Sequence, residues 1–349
     1  ITTVHGDMLQ HAVYRIKTEM GISDGFYQHS DDCPVFGTGQ GSRSSPPIWN
    51  FNSSVYFDTF DKLSHGAKYY SISGDHLLLG MTWFVDDNNF NCNEDAIHHE
   101  ADSNALMARM RHDAQLWHNI IWTSRGALEL TKCQYHLMSW NHTMSGEPIL
   151  ETGLSDQSID LVSPFGETLC IKQLSSGQSY KTLGAFVEPL QHQQTQYRYL
   201  LKKARVHTRL LATSSCKYNQ AWLYYFSVYL CSIGYGLPIC HLTRKQLTEI
   251  QKPMTPVLLT KMGVCQNTSR QLCFLSSYYG GLDLRDLYIE QGCGQIEFIL
   301  RHLRSPGMTG VLLKTVLGWF QFNAGVSYCV LANPGPELSH LEGNWLSSV

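Results

Sequence analysis

The apolar positions at the start of the chain fall at helical spacing. Met8, Leu9, Ala12, Val13, Ile16 and Met20 recur at steps of three and four, and Gly21 closes the run, which predicts a first helix. A polar loop carrying Asp31-Asp32 follows. Pro34-Val35-Phe36 reads as a short strand leading into the glycine-rich segment Gly37-Thr38-Gly39-Gln40-Gly41-Ser42. Ser45-Pro46 opens the next helix, since proline is tolerated in a first turn, and Trp49, Val55, Phe57 and Leu63 lie along it. Residues 77–85 form an apolar, strand-like run. It ends in Asp86-Asp87-Asn88-Asn89, residues of turn type, and Phe90 resumes the apolar pattern, so a hairpin with a carboxylate pair at its tip is expected.

Asn93-Glu94-Asp95 reads as a helix start, with the helix running through Leu106, Met110, Leu116 and Trp117 to Gly126. Strands are expected at 127–130 and 135–140, then near 169–174 and 182–187. From Glu188 onward the pattern is helical. Residues 218–243 carry no charge, and 221–242 is long enough to span a membrane. Ser227, Ser232, Gly234, Gly236 and Pro238 interrupt that run and tyrosines fall in its middle, which favours a buried helix at 222–233 followed by a loop.

The formal net charge of −3 hides an asymmetry. Residues 1–150 hold 9 Lys and Arg against 17 Asp and Glu, and the rest of the chain holds 17 basic and 12 acidic residues. Between Pro189 and Thr248 there are 8 basic residues and no acidic one. Arg198, Lys202, Lys203, Arg205, Arg209 and Lys217 are interleaved there with Tyr197, Tyr199, Trp222 and Tyr224, a pattern suited to a polyanion. The 11 cysteines are scattered and none sits at C-x-x-C spacing, which excludes zinc-ribbon and thioredoxin motifs and suits a reduced chain. The first residues have neither a charged n-region nor an apolar h-region, so an intracellular protein, cytoplasmic or nuclear and not secreted, is expected. His98-His99 reads as a surface pair.

Two segments carry candidate chemistry. Asp31-Asp32 sits in a polar loop and reads as solvated. Asp86-Asp87 lies at the mouth of an apolar strand, where two adjacent carboxylates repel and lose hydration unless a cation offsets both effects. Mg²⁺ prefers such oxygens and keeps positions free for substrate phosphates. The glycine-rich segment lets backbone approach a ligand ahead of a helix, although neither G-K-[ST] nor G-x-G-x-x-G is present.

Together these segments resemble the reverse transcriptases. Gln40-Gly41-Ser42-Arg43-Ser44-Ser45-Pro46 is similar to that family's Q-G-[DS]-x-x-S-P element, and Phe84-Val85-Asp86-Asp87 to its Y/F-x-D-D hairpin, in the same order. Gly126-Ala127-Leu128-Glu129-Leu130-Thr131-Lys132-Cys133 resembles the next palm motif, with Lys132 at the motif's lysine. His136-Leu137-Met138-Ser139-Trp140 falls at the primer grip. Lys181-Thr182-Leu183-Gly184 is similar to an L-G segment of non-LTR retrotransposon enzymes, and Gly280-Gly281-Leu282 with Leu287 and Gln291 to a retroelement tail.

The resemblance implies an α+β fold: a right-hand polymerase palm of antiparallel strands with helices over 1–188, then a helical thumb and C-terminal tail over 189–349. It implies an RNA-directed DNA polymerase working by two-metal nucleotidyl transfer onto a primer 3′-hydroxyl, with RNA template, DNA primer and dNTPs as partners. Asp86 and Asp87 would hold Mg²⁺ or Mn²⁺, and Lys132 would sit near the leaving phosphates. Gln40, Gly41, Ser42 and Phe84 would line the nascent base pair. Arg198, Lys202, Lys203 and Arg205 would grip the duplex backbone. The family's first palm motif carries a third aspartate well upstream of the Gln-Gly element, and only 39 residues precede Gln40 here, with Asp7 on the expected first helix. The chain therefore reads as a fragment that begins after that motif, with an incomplete metal site. Two other readings compete: an inactive nucleic-acid-binding remnant of a retroelement, and a membrane or structural protein built around 221–242.

Overall fold

In a computed structural model of the chain, the described residues are 11, 13–15, 17–18, 21–28, 45–84, 87–93, 103–123, 126–145, 148–150, 158–163, 165–190, 193–332 and 345–347. They form a mixed α+β protein with many small sheets and a helical C-terminal part. Two compact units are present: one comprises 1–68 and 78–174, the other 69–77 and 175–349. The ten described cysteines form no disulfide.

The N-terminal helix is not found. β1 (Val13–Tyr14) pairs antiparallel with β4 (Tyr27–Gln28), and β2 (Lys17–Thr18) with β3 (Gly21–Ile22). Val13, Tyr14 and Thr18 favour extended backbone, and Gly21 adopts φ 127°, which a helix cannot use. Val13 and Ile22 are exposed, and Met8, Leu9, Ala12, Ile16 and Met20 lie outside the described residues.

The first unit is organised by two long helices. α1 (Ser45–Leu63) begins at the Ser-Pro-Pro segment, as expected. α2 (Ser103–Thr123) contains Leu106, Met110, Leu116 and Trp117. Asn93 does not cap it. Its side chain accepts from Lys68 N (2.8 Å) and donates to Lys68 O (2.7 Å), an amide standing in for a strand partner. Phe57 stacks on Trp117 at 5.6 Å, and Phe60 meets both Trp117 and Phe90, so aromatic contacts join the two helices to the hairpin strand.

The apolar run 77–85 divides into β6 (His76–Leu79) and β7 (Met81–Phe84), with β6 paired to β5 (Ala67–Tyr70). Gly80 causes the break. A Cβ there would lie 2.9 Å from Ser64 Oγ and 3.2 Å from Asp61 Oδ1, so a larger residue would require those side chains to shift. β7 pairs antiparallel with β8 (Asp87–Phe90), in the register Phe84↔Asp87. The expected pair of strands is present, with 85–86 between them outside the described residues, and Asn88 and Asn89 belong to the strand.

Residues 127–130 are not a strand. They lead into a turn in which Thr131 Oγ1 donates to Glu129 Oε1 (2.5 Å) and Lys132 N to Glu129 O (3.0 Å), local bonds that compete with sheet pairing. The expected strand at 135–140 is two strands. β9 (Gln134–His136) joins β12 (Ile159–Val162) and β13 (Thr168–Leu174) in one sheet, whereas β10 (Trp140–His142) pairs with β11 (Pro148–Leu150). A second core, around Met107, Ile159 and Leu161, lies between α2 and that sheet.

The second unit opens with a hairpin, β14 (Tyr180–Thr182) and β15 (Ala185–Val187), where one strand was expected. Leu183 and Gly184 take φ 47° and 85°, the positive values a two-residue hairpin turn requires. Helices follow: α3 (Gln194–Thr213), α4 (Tyr218–Tyr224), a π-helical stretch (Tyr225–Leu230), α5 (Cys231–Gly234), α6 (Arg244–Gln251), α7 (Met254–Lys261), α8 (Arg270–Phe274), α9 (Leu287–Arg304) and α10 (Met308–Ala324). The uncharged segment is thus a helical stretch from 218 to 234 packed in a core with Leu247, Ile250 and Leu258, followed by a short 3₁₀ turn. Among the described residues, no helix is long and apolar enough to cross a membrane.

Buried glutamines bind irregular backbone to this core. Gln291 Oε1 accepts from Leu242 N (3.2 Å) and its Nε2 donates to Leu242 O (3.0 Å). Gln295 Nε2 donates to Cys240 O (2.6 Å), and Gln251 bridges Arg285 O (2.5 Å) and Leu287 N (3.2 Å). Each amide satisfies groups that no helix or sheet reaches.

Burial also sets an acid limit on stability. His118, on α2, is 3% exposed and has no hydrogen-bond partner for either ring nitrogen among the described residues. Burial holds its pKa below the ordinary 6.5, and burial likewise lowers His241. His207 is lowered by burial and then by the Lys203 charge. A base whose pKa is depressed by folding protonates first in the unfolded chain, so stability is full above about pH 6.5 and falls as pH drops below it. The melting midpoint is therefore expected to decline between about pH 6.5 and 5. His118→Leu, which removes an unsatisfied polar group, should weaken that decline without lowering stability at pH 7.5. A midpoint that rises on acidification would contradict this account.

Candidate nucleic-acid interface and metal positions

The hairpin provides part of the expected polymerase site. Asp87 is exposed at the first position of β8, opposite Phe84 in register, and forms no ion pair among the described residues. Asp86 lies outside the described residues. So do Gln40, Gly41 and Ser42, Pro34-Val35-Phe36, Asp31-Asp32, His98-His99 and Asp7. Phe84 is described through its backbone pairing alone.

Lys132 is exposed in the 130–132 turn. The Thr131 hydroxyl and amide, and then the Lys132 charge, hold the neighbouring Glu129 carboxyl below its ordinary range. Lys132 therefore has a carboxylate beside it. Lys181 lies over the rings of Tyr199 (5.1 Å) and Phe186 (6.0 Å), a cation–π contact between the β14–β15 hairpin and α3.

α3 divides the predicted backbone-gripping residues into two groups. Its core face holds Gln196, Leu200, Ala204 and Leu211. Arg198, Lys202, Arg205 and Arg209 follow one another at steps of four, three and four, which places them in a single stripe on the opposite face. All four are exposed and none pairs with a carboxylate among the described residues. The stripe is about 11 residues long, or ~16 Å at 1.5 Å per residue, comparable to several phosphates along a strand. Lys203 does not belong to it. Its ammonium donates to Ser232 O (2.8 Å) and lies 5.6 Å from the Tyr199 ring, so it braces α3 against α5. The basic run was legible in the sequence, but its division was not, since the inward turn of Lys203 depends on a carbonyl 29 residues away.

Sequence reasoning missed one cluster entirely. His65 follows the end of α1, and His112 and Asp113 lie on α2. His65 Nδ1 is 2.8 Å and His112 Nδ1 3.1 Å from the same Asp113 Oδ1. The two rings meet edge to face at 4.7 Å. Asp113 is buried, and its carboxylate also accepts from His65 N (3.0 and 3.1 Å) and Gly66 N (3.3 Å). It is one of the few buried acids, and a lone aspartate amid a helix's polar positions carries no sequence signal of burial.

No family model matches the chain, and no curated protein matches it.

Proposed function

We propose that the chain is the polymerase segment of a retroelement reverse transcriptase of the non-LTR type, an intracellular RNA-directed DNA polymerase acting on an RNA template, a DNA primer and dNTPs. The observation that carries this reading is the antiparallel pairing of β7 with β8, whose strands flank the Phe-x-Asp-Asp segment, with Phe84 opposite Asp87 at the start of the return strand. The order of the Gln40-Gly41-Ser42 element, α1 and this hairpin supports it, with α1 beginning where the Ser-Pro signal predicts.

The carboxylate oxygens of Asp86 and Asp87 suit hard divalent cations, and Mg²⁺ or Mn²⁺ bound there would supply charge stabilisation to phosphoryl transfer. Gln40, Gly41 and Ser42 would position the incoming nucleotide, and the Arg198, Lys202, Arg205 and Arg209 stripe would hold the duplex backbone. Mn²⁺ should broaden resonances of residues 84–90 and spare Asp31 and Asp32. Broadening confined to 31–32 would refute the assignment.

Nucleic-acid binding without catalysis rests on the stripe alone. Changing Arg198, Lys202, Arg205 and Arg209 together to Gln should weaken duplex binding and flatten the slope of log affinity against log salt by about three to four units. Lys203→Gln should leave the slope nearly unchanged and lower the melting midpoint instead. Fluorescence anisotropy across a salt series separates the two, and an unchanged slope in the fourfold variant would exclude the stripe as the contact surface.

A further inference from the structure

We propose that His65, His112 and Asp113 form a binding site for a divalent transition metal of the zinc class, separate from the Asp86–Asp87 pair. Three observations lead there. First, the donors converge: one ligand atom from each residue falls within 4.8 Å of the others, and both imidazoles direct Nδ1 at one carboxylate oxygen. Second, the carboxylate is preorganised. Asp113 is 3% exposed, and the amides of His65 and Gly66 hold both of its carboxylate oxygens, the outer-sphere support that orients a metal ligand. Third, its charge lacks a cation. Among the described residues no Lys or Arg pairs with Asp113, and Arg109, one turn earlier on α2, donates to Asn93 O instead. A buried carboxylate with no Lys or Arg beside it is costly, and a divalent ion removes that cost.

The donor set selects the class of metal. Two imidazole nitrogens and one carboxylate oxygen suit Zn²⁺, Co²⁺ or Ni²⁺, whereas Mg²⁺ and Ca²⁺ prefer oxygens alone. Tetrahedral zinc with bonds near 2.0–2.1 Å places its donors about 3.3 Å apart. The present separations of 2.8 and 3.1 Å need to open by only a few tenths of an ångström. The imidazoles can accommodate this, because the two side chains are 42% and 54% exposed. That exposure leaves the fourth position to water. The bound ion would tie the turn after α1 to the middle of α2. Nothing in this argument depends on polymerase activity.

The test uses the full chain stripped of metal. Zn²⁺ titrated against a chromogenic chelator should show one equivalent bound with micromolar or tighter affinity, undisturbed by millimolar Mg²⁺. Co²⁺ in its place should give a tetrahedral d–d spectrum without a thiolate charge-transfer band, since no cysteine belongs to the cluster. His65→Ala and His112→Ala should each weaken binding by at least about tenfold, and Zn²⁺ should raise the melting midpoint of the parent but not of these variants. Both replaced side chains are substantially exposed, and metal-free melts of the variants verify that they fold. Absence of a stoichiometric Zn²⁺ site at 100-fold excess over a micromolar affinity would overturn the proposal, as would unchanged binding in both histidine variants or a thiolate band with Co²⁺.

Discussion

On the proposed polymerase reading, and with the upstream palm segment restored to the chain, Asp86→Asn and Asp87→Asn are each expected to reduce nucleotide incorporation by roughly 10³-fold or more. An amide keeps an oxygen in place but loses the negative charge that holds a hard cation, and metal charge stabilisation in phosphoryl transfer amounts to several kcal/mol. At 1.36 kcal/mol per factor of ten, a loss of about 4 kcal/mol gives that figure. The substitutions should not disturb folding at position 87, because Asp87 is exposed and makes no ion pair among the described residues, while its backbone pairing with Phe84 is indifferent to the side chain. Asp160→Asn, at an exposed position of β12, is the matching control and should leave incorporation unchanged. Primer extension on an RNA template, with melts run in parallel, compares the three. Equal incorporation by parent and both Asn variants would remove the metal assignment and leave the duplex-binding reading.

The elements that sequence patterning predicted well are those whose signals are local. α1 starts at a proline pair, and α2 and α3 carry long apolar stripes. The hairpin at 81–90 is marked by an abrupt change from apolar residues to Asp and Asn. The errors have physical causes too. Met8 to Met20 satisfied helical spacing while Val13, Tyr14 and Thr18 favoured extended backbone, and short paired strands prevailed. The apolar run through Gly80 gave no hint that Ser64 and Asp61 approach so closely that a larger residue would require them to shift. At 127–130 strand-like residues were overruled by the Glu129–Thr131 bond. Near 182–187 the Leu-Gly pair hid a turn that needs positive φ at both residues.

Site residues follow the same division. The Asp-Asp pair and the basic run are visible because adjacency and local charge are properties of the chain. The His65–His112–Asp113 cluster is not, since two of its members are 48 residues apart and are joined by the packing of α1 on α2. Lys203 shows the converse. Its charge matched the basic run, and its partner, Ser232 O, came from another helix.

Gln291→Ala is expected to destabilise the second unit by about 2–4 kcal/mol. Leu242 is 2% exposed and lies between a 3₁₀ turn and α6, so its N–H and C=O have no ladder to join. Gln291 supplies both missing partners from α9. Alanine leaves the two backbone groups buried and unpaired, at roughly 1–3 kcal/mol each, less whatever a water can recover. For a unit of this size the melting midpoint should fall by about 5–15 °C. Gln220→Ala makes the comparison. Gln220 also bonds a backbone N–H, that of Lys217 (3.0 Å), but it does so at an exposed helix start where water can replace it. Its loss should cost less than about 1 kcal/mol. Both bonds join a glutamine to backbone, so a difference of this size between the two variants would isolate burial as the cause. Equal and small losses would mean that water enters beside Leu242 and that the α9 clamp contributes little to stability.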